Sequence, residues 1–159
     1  MDDRAKKKLL RHIPYGLYIV GVGSGNASRA FTGSWLTQVS RVPPVIALGI
    51  REASESLRVA RESETLAVSF LDKDSRGVFE HFSRRSVEEH ERLTGVSYHA
   101  ASNGAPVLDQ AIGHLAGQVI DIRSGFGDHA LVIAQITDAS LERDIPPLVM
   151  SDTPWSYSG

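Results

Sequence analysis

Between Ala30 and Ile50 the sequence reads AFTGSWLTQVSRVPPVIALGI, with polar groups crowded against an apolar, strand-like run. Thr32, Ser34, Thr37 and Ser40 offer hydroxyls, Gln38 an amide, and the backbone from Phe31 to Val39 further N–H groups, while Trp35 adds a flat apolar surface. Such donors, in a stretch that Gly33 opens to close approach, can hold a polar ligand. Downstream, Arg51 supplies a cation, and a helix beginning at Ser54 adds a partially positive end with the Ser54 and Ser56 hydroxyls, so the set reads as a phosphate pocket. The competing reading is that the hydroxyls cap turns and Arg51 is a surface residue. A second cluster is GFGDH, residues 125–129, where Gly125 and Gly127 set the Asp128 carboxylate and the His129 imidazole at the head of a strand. A histidine in a turn is also commonly structural or solvated.

The elements that must position these groups follow from pattern. Ala5 to His12 suits a short basic helix stopped before Pro14. Gly16 to Gly23 and Arg29 to Ser34 read as a hairpin turning at Gly25 and Asn26, and Val45 to Ile50 as a strand entered through Pro43 and Pro44. Ser54 to Arg61 is helical, with Ser54 as N-cap and Leu57, Val59 and Ala60 inward, and Thr65 to Leu71 is a strand. Val78, Phe79 and Phe82 form the apolar stripe of a helix over Ser75 to Arg84, and Ser86 with Glu89 makes a capping box for another ending at Arg92. Tyr98 to Pro106 reads as loop, Ile112 to Ile122 and Ala130 to Leu141 as long strands, and Pro146 onward as a short strand and a tail carrying Trp155 and Tyr157. Strands at irregular intervals with helices inserted among them predict one α+β, mainly β domain, residues 1–159, built around an antiparallel barrel.

Composition narrows the chemistry. The 159 residues carry a net charge of -2, so nothing chain-wide draws the protein to nucleic acid. With no cysteine there are no disulfides, thiolate zinc sites, iron–sulfur clusters or cysteine nucleophiles. The basic, then apolar start is broken by His12, Pro14 and Gly16 and lacks a cleavage pattern, which predicts a cytoplasmic protein, and no window reaches the length of a membrane span. GVGSGN, residues 21–26, lacks the third glycine and the following helix of a dinucleotide fingerprint and reads as a hairpin turn. The chain has no G-x-S-x-G elbow and no HExxH, and His81 and His90, with Glu80, Glu88, Glu89 and Glu91, read as a solvated charged face rather than a metal site.

HIPYGLYIVGV, AFTGSWLTQVSRVPPVIALGI, NGAPVLDQAIGHLAGQV and GDHALVIAQITDA, in that order, resemble the flavin reductase-like FMN-binding family, and most of all its flavoredoxin and diflavin-flavoprotein reductase-domain branch. The resemblance runs from about Arg11 to Gly159. It implies a Greek-key split β-barrel, usually a homodimer, with FMN near the subunit interface, NADH or NADPH as reductant, and electrons passed to an acceptor that includes redox partner proteins. Phe31, Thr32, Gly33, Ser34 and Trp35 match the family's M-T-A-S-W stretch along the isoalloxazine and ribityl chain, and Gln38, Val39 and Ser40 its Q-x-S. Arg51, Ser54 and Ser56 fall in the segment associated with phosphate, and Gly127, Asp128 and His129 match G-D-H, whose histidine lies near the flavin or the incoming nicotinamide. Leu115, Ala116 and Gly117 stand where the family often has a Glu-Cys pair, so any role of that cysteine is absent; the end, DTPWSYSG, departs from the family tail at Ser158. The implied activity is hydride transfer from NAD(P)H to flavin N5. A non-enzymatic FMN electron carrier and a split-barrel binding protein without flavin are the rivals.

Overall fold

The computed structural model describes residues 1–82 and 92–155. The Ser86–Glu89 capping box, His90 with Glu88, Glu89 and Glu91, and the tail residues Tyr157 and Ser158 lie outside them.

Seven strands form one sheet in the order β2-β1-β5-β8-β9-β4-β3: β1 (Tyr18–Val22), β2 (Arg29–Gly33), β3 (Leu36–Ser40), β4 (Val45–Arg51), β5 (Thr65–Phe70), β8 (Gly113–Arg123) and β9 (His129–Leu141). Every neighbouring pair is antiparallel. The two edge strands, β2 and β3, are consecutive in the chain, with only Ser34 and Trp35 between them. Laid flat, six inter-strand gaps would separate those edges by roughly 29 Å, whereas the link from Gly33 to Leu36 spans at most about 11 Å. The sheet therefore has to curl until its edges meet, as the sequence pattern anticipated. Register shifts at Gln38/Ser40, Ala116/Gly117 and Val119/Asp121 supply local bends of the kind that curling needs.

Curling makes two cores from the two faces. Inside lie Val20, Val22, Ile46, Leu48, Ile50, Leu66, Val68, Val119, Val132 and Ala134, and α2 (Glu55–Ser63) adds Leu57, Val59 and Ala60 to the same cluster. Outside, Ile19, Ala30, Ala67 and Ala116 are covered by Phe79 and Phe82 of α3 (Arg76–Phe82), by Val107 and Leu108, and by Leu148. The first helix, α1 (Asp3–Arg11), is capped by Asp2 and buries nothing.

Two expectations change, and one strand lies in a segment to which the sequence pattern assigns no element. Leu36–Ser40 is a strand; only Leu36 joins the inner cluster, so the segment has no apolar alternation to announce it. The stretch from Tyr98 contains a short hairpin, β6 (Tyr98–Ala100) with β7 (Pro106–Leu108), latched to the sheet by Asn103, whose Nδ2 donates to Leu66 O and Gly117 O at 2.9 Å. The closing segment makes a single bridge, Gly16 to Val149, and a 3-10 turn over Met150–Asp152 instead of a strand. GVGSGN is the expected hairpin, Gly21 in β1 and Gly25 opening a 3-10 turn.

Candidate functional site

The seam where the two sheet edges meet brings together residues far apart in the chain. As the chain crosses from β2 to β3, Trp35 O accepts the Gly49 N–H at 2.9 Å, which lays the indole over β4. Gly49 makes this possible: a Cβ there would lie 3.2 Å from Trp35 Cε3 and 3.9 Å from His129 Cδ2. The Trp35 and His129 rings are in contact, with centroids 4.7 Å apart and planes tilted by 53°. Sequence reading passed over Gly49, although a glycine inside an apolar strand is itself a sign of close backbone or ring approach.

His129 begins β9 directly across from Arg51, the last residue of β4. Its Nδ1 lies 2.8 Å from Asp128 Oδ1. The carboxylate can only accept, so Nδ1 carries the hydrogen of this bond. That hydrogen bond, with the charges of His129 and Arg51, holds the Asp128 carboxyl below its ordinary range. Asp128 O in turn accepts the Glu52 N–H at 2.9 Å, and Arg61 Nη2 donates to Ser124 Oγ at 2.6 Å, so both ends of the loop from Ser124 to Asp128 are tied to the segment leading into and along α2. Phe126, at the centre of that loop, is exposed.

Apart from Gly127, in the loop just before β9, and the helix-start serines, the predicted residues divide into three groups. Trp35, Arg51, Asp128 and His129 come together at the seam. Phe31, Thr32, Gly33 and Ser34 lead directly into it, and a Cβ at Gly33 would lie 3.0 Å from Val20 Cγ2, inside the barrel. Gln38, Val39 and Ser40 run away from it along β4, Ser40 pairing with Val45, four residues and so about 14 Å from Gly49.

The helix-start hydroxyls are not the open phosphate ligands that the sequence suggested. Ser54 Oγ gives its proton to Arg51 O at 2.7 Å and accepts the Leu57 N–H at 3.1 Å, the ordinary work of an N-cap. Ser56 is completely buried. Of this segment, the exposed Arg51 is the group still presented to an anion.

For the FMN that the resemblance implies, the donor set fits in kind. Thr32 Oγ1 and Glu52 Oε1 are buried without a hydrogen-bond partner among the described residues, and an unmet buried polar atom costs about 1–3 kcal/mol. A polyhydroxylated ligand with ring carbonyls and a phosphate can answer a hydroxyl, a carboxylate and Arg51 at once. A cleft of about 800 Å³ lies elsewhere, beneath the β6–β7 hairpin, and no predicted site residue lines it. Its charged groups are largely spent on one another: Arg143 on Asp72 at 2.9 Å, His99 on Asp109 at 2.8 Å, Glu142 on Ser140 at 2.6 Å. No group of three or more potential metal-ligating side chains occurs among the described residues, and none of their helices is long and apolar enough to cross a membrane.

Comparison with known proteins agrees with this fold. Diflavin flavoprotein A 1 of Synechocystis is 29% identical over 144 residues, covering 89% of this chain and 25% of the relative. The chain thus spans about a quarter of the length of the first such relatives, 22–25%. An NADH:FMN oxidoreductase of Rhodococcus erythropolis is 29% identical over 136 residues, 85% of this chain and 69% of that one. Among solved structures, the flavin reductase HpaC complexed with NADP+ superposes with a TM-score of 0.77 at 22% identity, over 92% of this chain and 91% of the other. The pattern described as the flavin reductase like domain matches residues 10–154, and the chain, with its curled seven-strand sheet and the Trp35–His129 seam, belongs to that family.

Proposed function

We propose that the chain is an NAD(P)H-dependent flavin reductase that holds FMN along Phe31 to Trp35 with its phosphate towards Arg51, and acts as a cytoplasmic homodimer. The observation that carries this reading is the Asp128–His129–Trp35 arrangement over Gly49, with the unmet buried Thr32 hydroxyl three residues before Trp35 in the chain. Bound FMN would supply the redox chemistry of hydride acceptance from a nicotinamide. The chain binds and orients. Backbone N–H groups and the Thr32 hydroxyl favour negative charge on the ring edge, as donors do in an oxyanion site. His129, its Nδ1 hydrogen committed to Asp128, positions the nicotinamide. Exposed apolar residues on the strands around the seam, Leu131 and Val39, support a second copy packing nearby.

The names of the relatives, one an NADH:FMN oxidoreductase and one a flavin reductase solved with NADP+, support the reaction class. The test is to load the purified chain with FMN, desalt it, and add NADH or NADPH without oxygen. Retained flavin colour that bleaches within the mixing experiment is the expected result. Colour that persists points to an electron carrier, and no retained colour to a binding protein of another kind. Sedimentation of the same sample tests the dimer.

A further inference from the structure

We propose that Gly49 is a positioning residue for nicotinamide oxidation, acting through Trp35. The inference rests on the flavin reductase reading above and adds a residue to it.

Two strands and a crossing contribute one feature each to this point: the β2–β3 crossing brings Trp35, β4 brings Gly49, and β9 brings His129. The backbone that carries the indole is fixed by the hydrogen bond from Gly49 N to Trp35 O. The indole itself rests in tilted contact with the His129 ring. The space it fills is the space a side chain at position 49 would need. The two rings would meet a new methyl unequally. At 3.9 Å the His129 Cδ2 contact is ordinary, whereas 3.2 Å to Trp35 Cε3 is closer than normal packing, so the indole has to give by a few tenths of an ångström. A side chain at 49 therefore lifts the plate from the imidazole while leaving the Asp128–His129 hydrogen bond in place. Gly49 has no positive φ and sits in a regular strand, paired with Leu131. The backbone conformation does not demand glycine, and the aromatic contact remains as the reason for it.

The test is a double-mutant cycle of Gly49→Ala and Trp35→Leu in the FMN-loaded chain. Gly49→Ala is expected to lower kcat/KM for NAD(P)H about tenfold, as small misplacements of positioning groups do, with FMN affinity within about twofold of wild type. The Gly49→Ala effect should vanish in the Trp35→Leu background, because the residue it acts through is gone. A second readout uses the flavin-free protein: the His129 ring-proton NMR shift carries the ring current of Trp35, and Gly49→Ala should move it part of the way towards the value in Trp35→Leu. An unchanged kcat/KM, an effect that persists in the Trp35→Leu background, or an unmoved His129 resonance overturns the inference. Wild-type protein that binds FMN but does not oxidise NAD(P)H overturns the functional reading and this inference with it; an active wild type with an unaffected Gly49→Ala variant overturns this inference alone.

Discussion

Asp128 and His129 are adjacent and share one hydrogen bond, yet the Asp128 side chain is 88% exposed and the His129 side chain 13%. The imidazole is anchored from the solvent side by a carboxylate and from the protein side by Trp35. Removing the ring and removing its anchor should therefore differ. His129→Ala is expected to slow NAD(P)H oxidation more than it weakens FMN binding. Asp128→Ala should lower kcat/KM by less, about three- to tenfold, since the ring keeps its aromatic support. Stopped-flow reduction alongside FMN titration checks both; a loss confined to FMN binding in either variant would remove the assigned role.

The same pair carries a pH signature. Asp128 is held below its ordinary pKa of 3.8, chiefly by the hydrogen bond from His129. A depressed carboxyl contributes stability that is fully present above the unfolded pKa and lost as pH falls through the folded one. Asp128→Ala should thus be less stable than wild type at neutral pH, and the gap should close as pH drops below about 3.8. Thermal melts of both proteins across that range measure it.

His114, beside the cleft under the β6–β7 hairpin, titrates in a different window. Burial, reinforced by neighbouring His99, lowers its pKa below 6.5 against the opposing pull of Asp138 and Glu142. The unfolded chain then binds its proton at higher pH than the folded one, so stability should fall as pH drops from about 6.5 towards the lowered value. His114→Gln should flatten that part of the profile. A wild-type melting temperature that stays level through the window, or a variant with the same slope as wild type, would contradict the assignment.

Gly21 and Gly25 share one glycine-rich motif but should respond differently to alanine. A Cβ at Gly21 would lie 2.0 Å from the Pro106 carbonyl oxygen, where the β6–β7 hairpin crosses β1, so Gly21→Ala should cost about 3 kcal/mol. Gly25 has φ +55 and open space around it, and Gly25→Ala should cost only about 1–2 kcal/mol, the price of a left-handed residue. Urea unfolding separates the two. Equal losses would mean that the contact with Pro106 is not what keeps position 21 a glycine.

Much of this architecture was legible in the sequence because local signals agreed with tertiary ones. Ser54 caps α2 as its position ahead of Leu57 and Ala60 suggested, and the β1–β2 hairpin turns where Gly25 and Asn26 said it would. The failures share a cause. Leu36–Ser40 presents one inward residue and a bulge at Val39, so its partner β4, rather than its own pattern, makes it a strand. Tyr98–Ala100 and Pro106–Leu108, three residues each, are too short to carry a period. Hydroxyls at Ser54 and Ser56 were countable, but whether a hydroxyl is spent on a cap, enclosed or offered to a ligand depends on neighbours that only the fold supplies. The meeting of Trp35, Gly49 and His129 was hidden for the same reason, since a crossing and two separate strands contribute one residue each.

The two-residue crossing from β2 to β3 means that the barrel is shut by a covalent strap. Every ladder of the sheet could survive a break between Ser34 and Trp35, because no strand pair depends on that bond, yet the edges would be free to drift apart. A molecule gripping both Thr32 and the Trp35–His129 plate would act as a second buckle across the same gap. Occupancy and resistance to unfolding should then rise together, so that a melting curve becomes a binding assay.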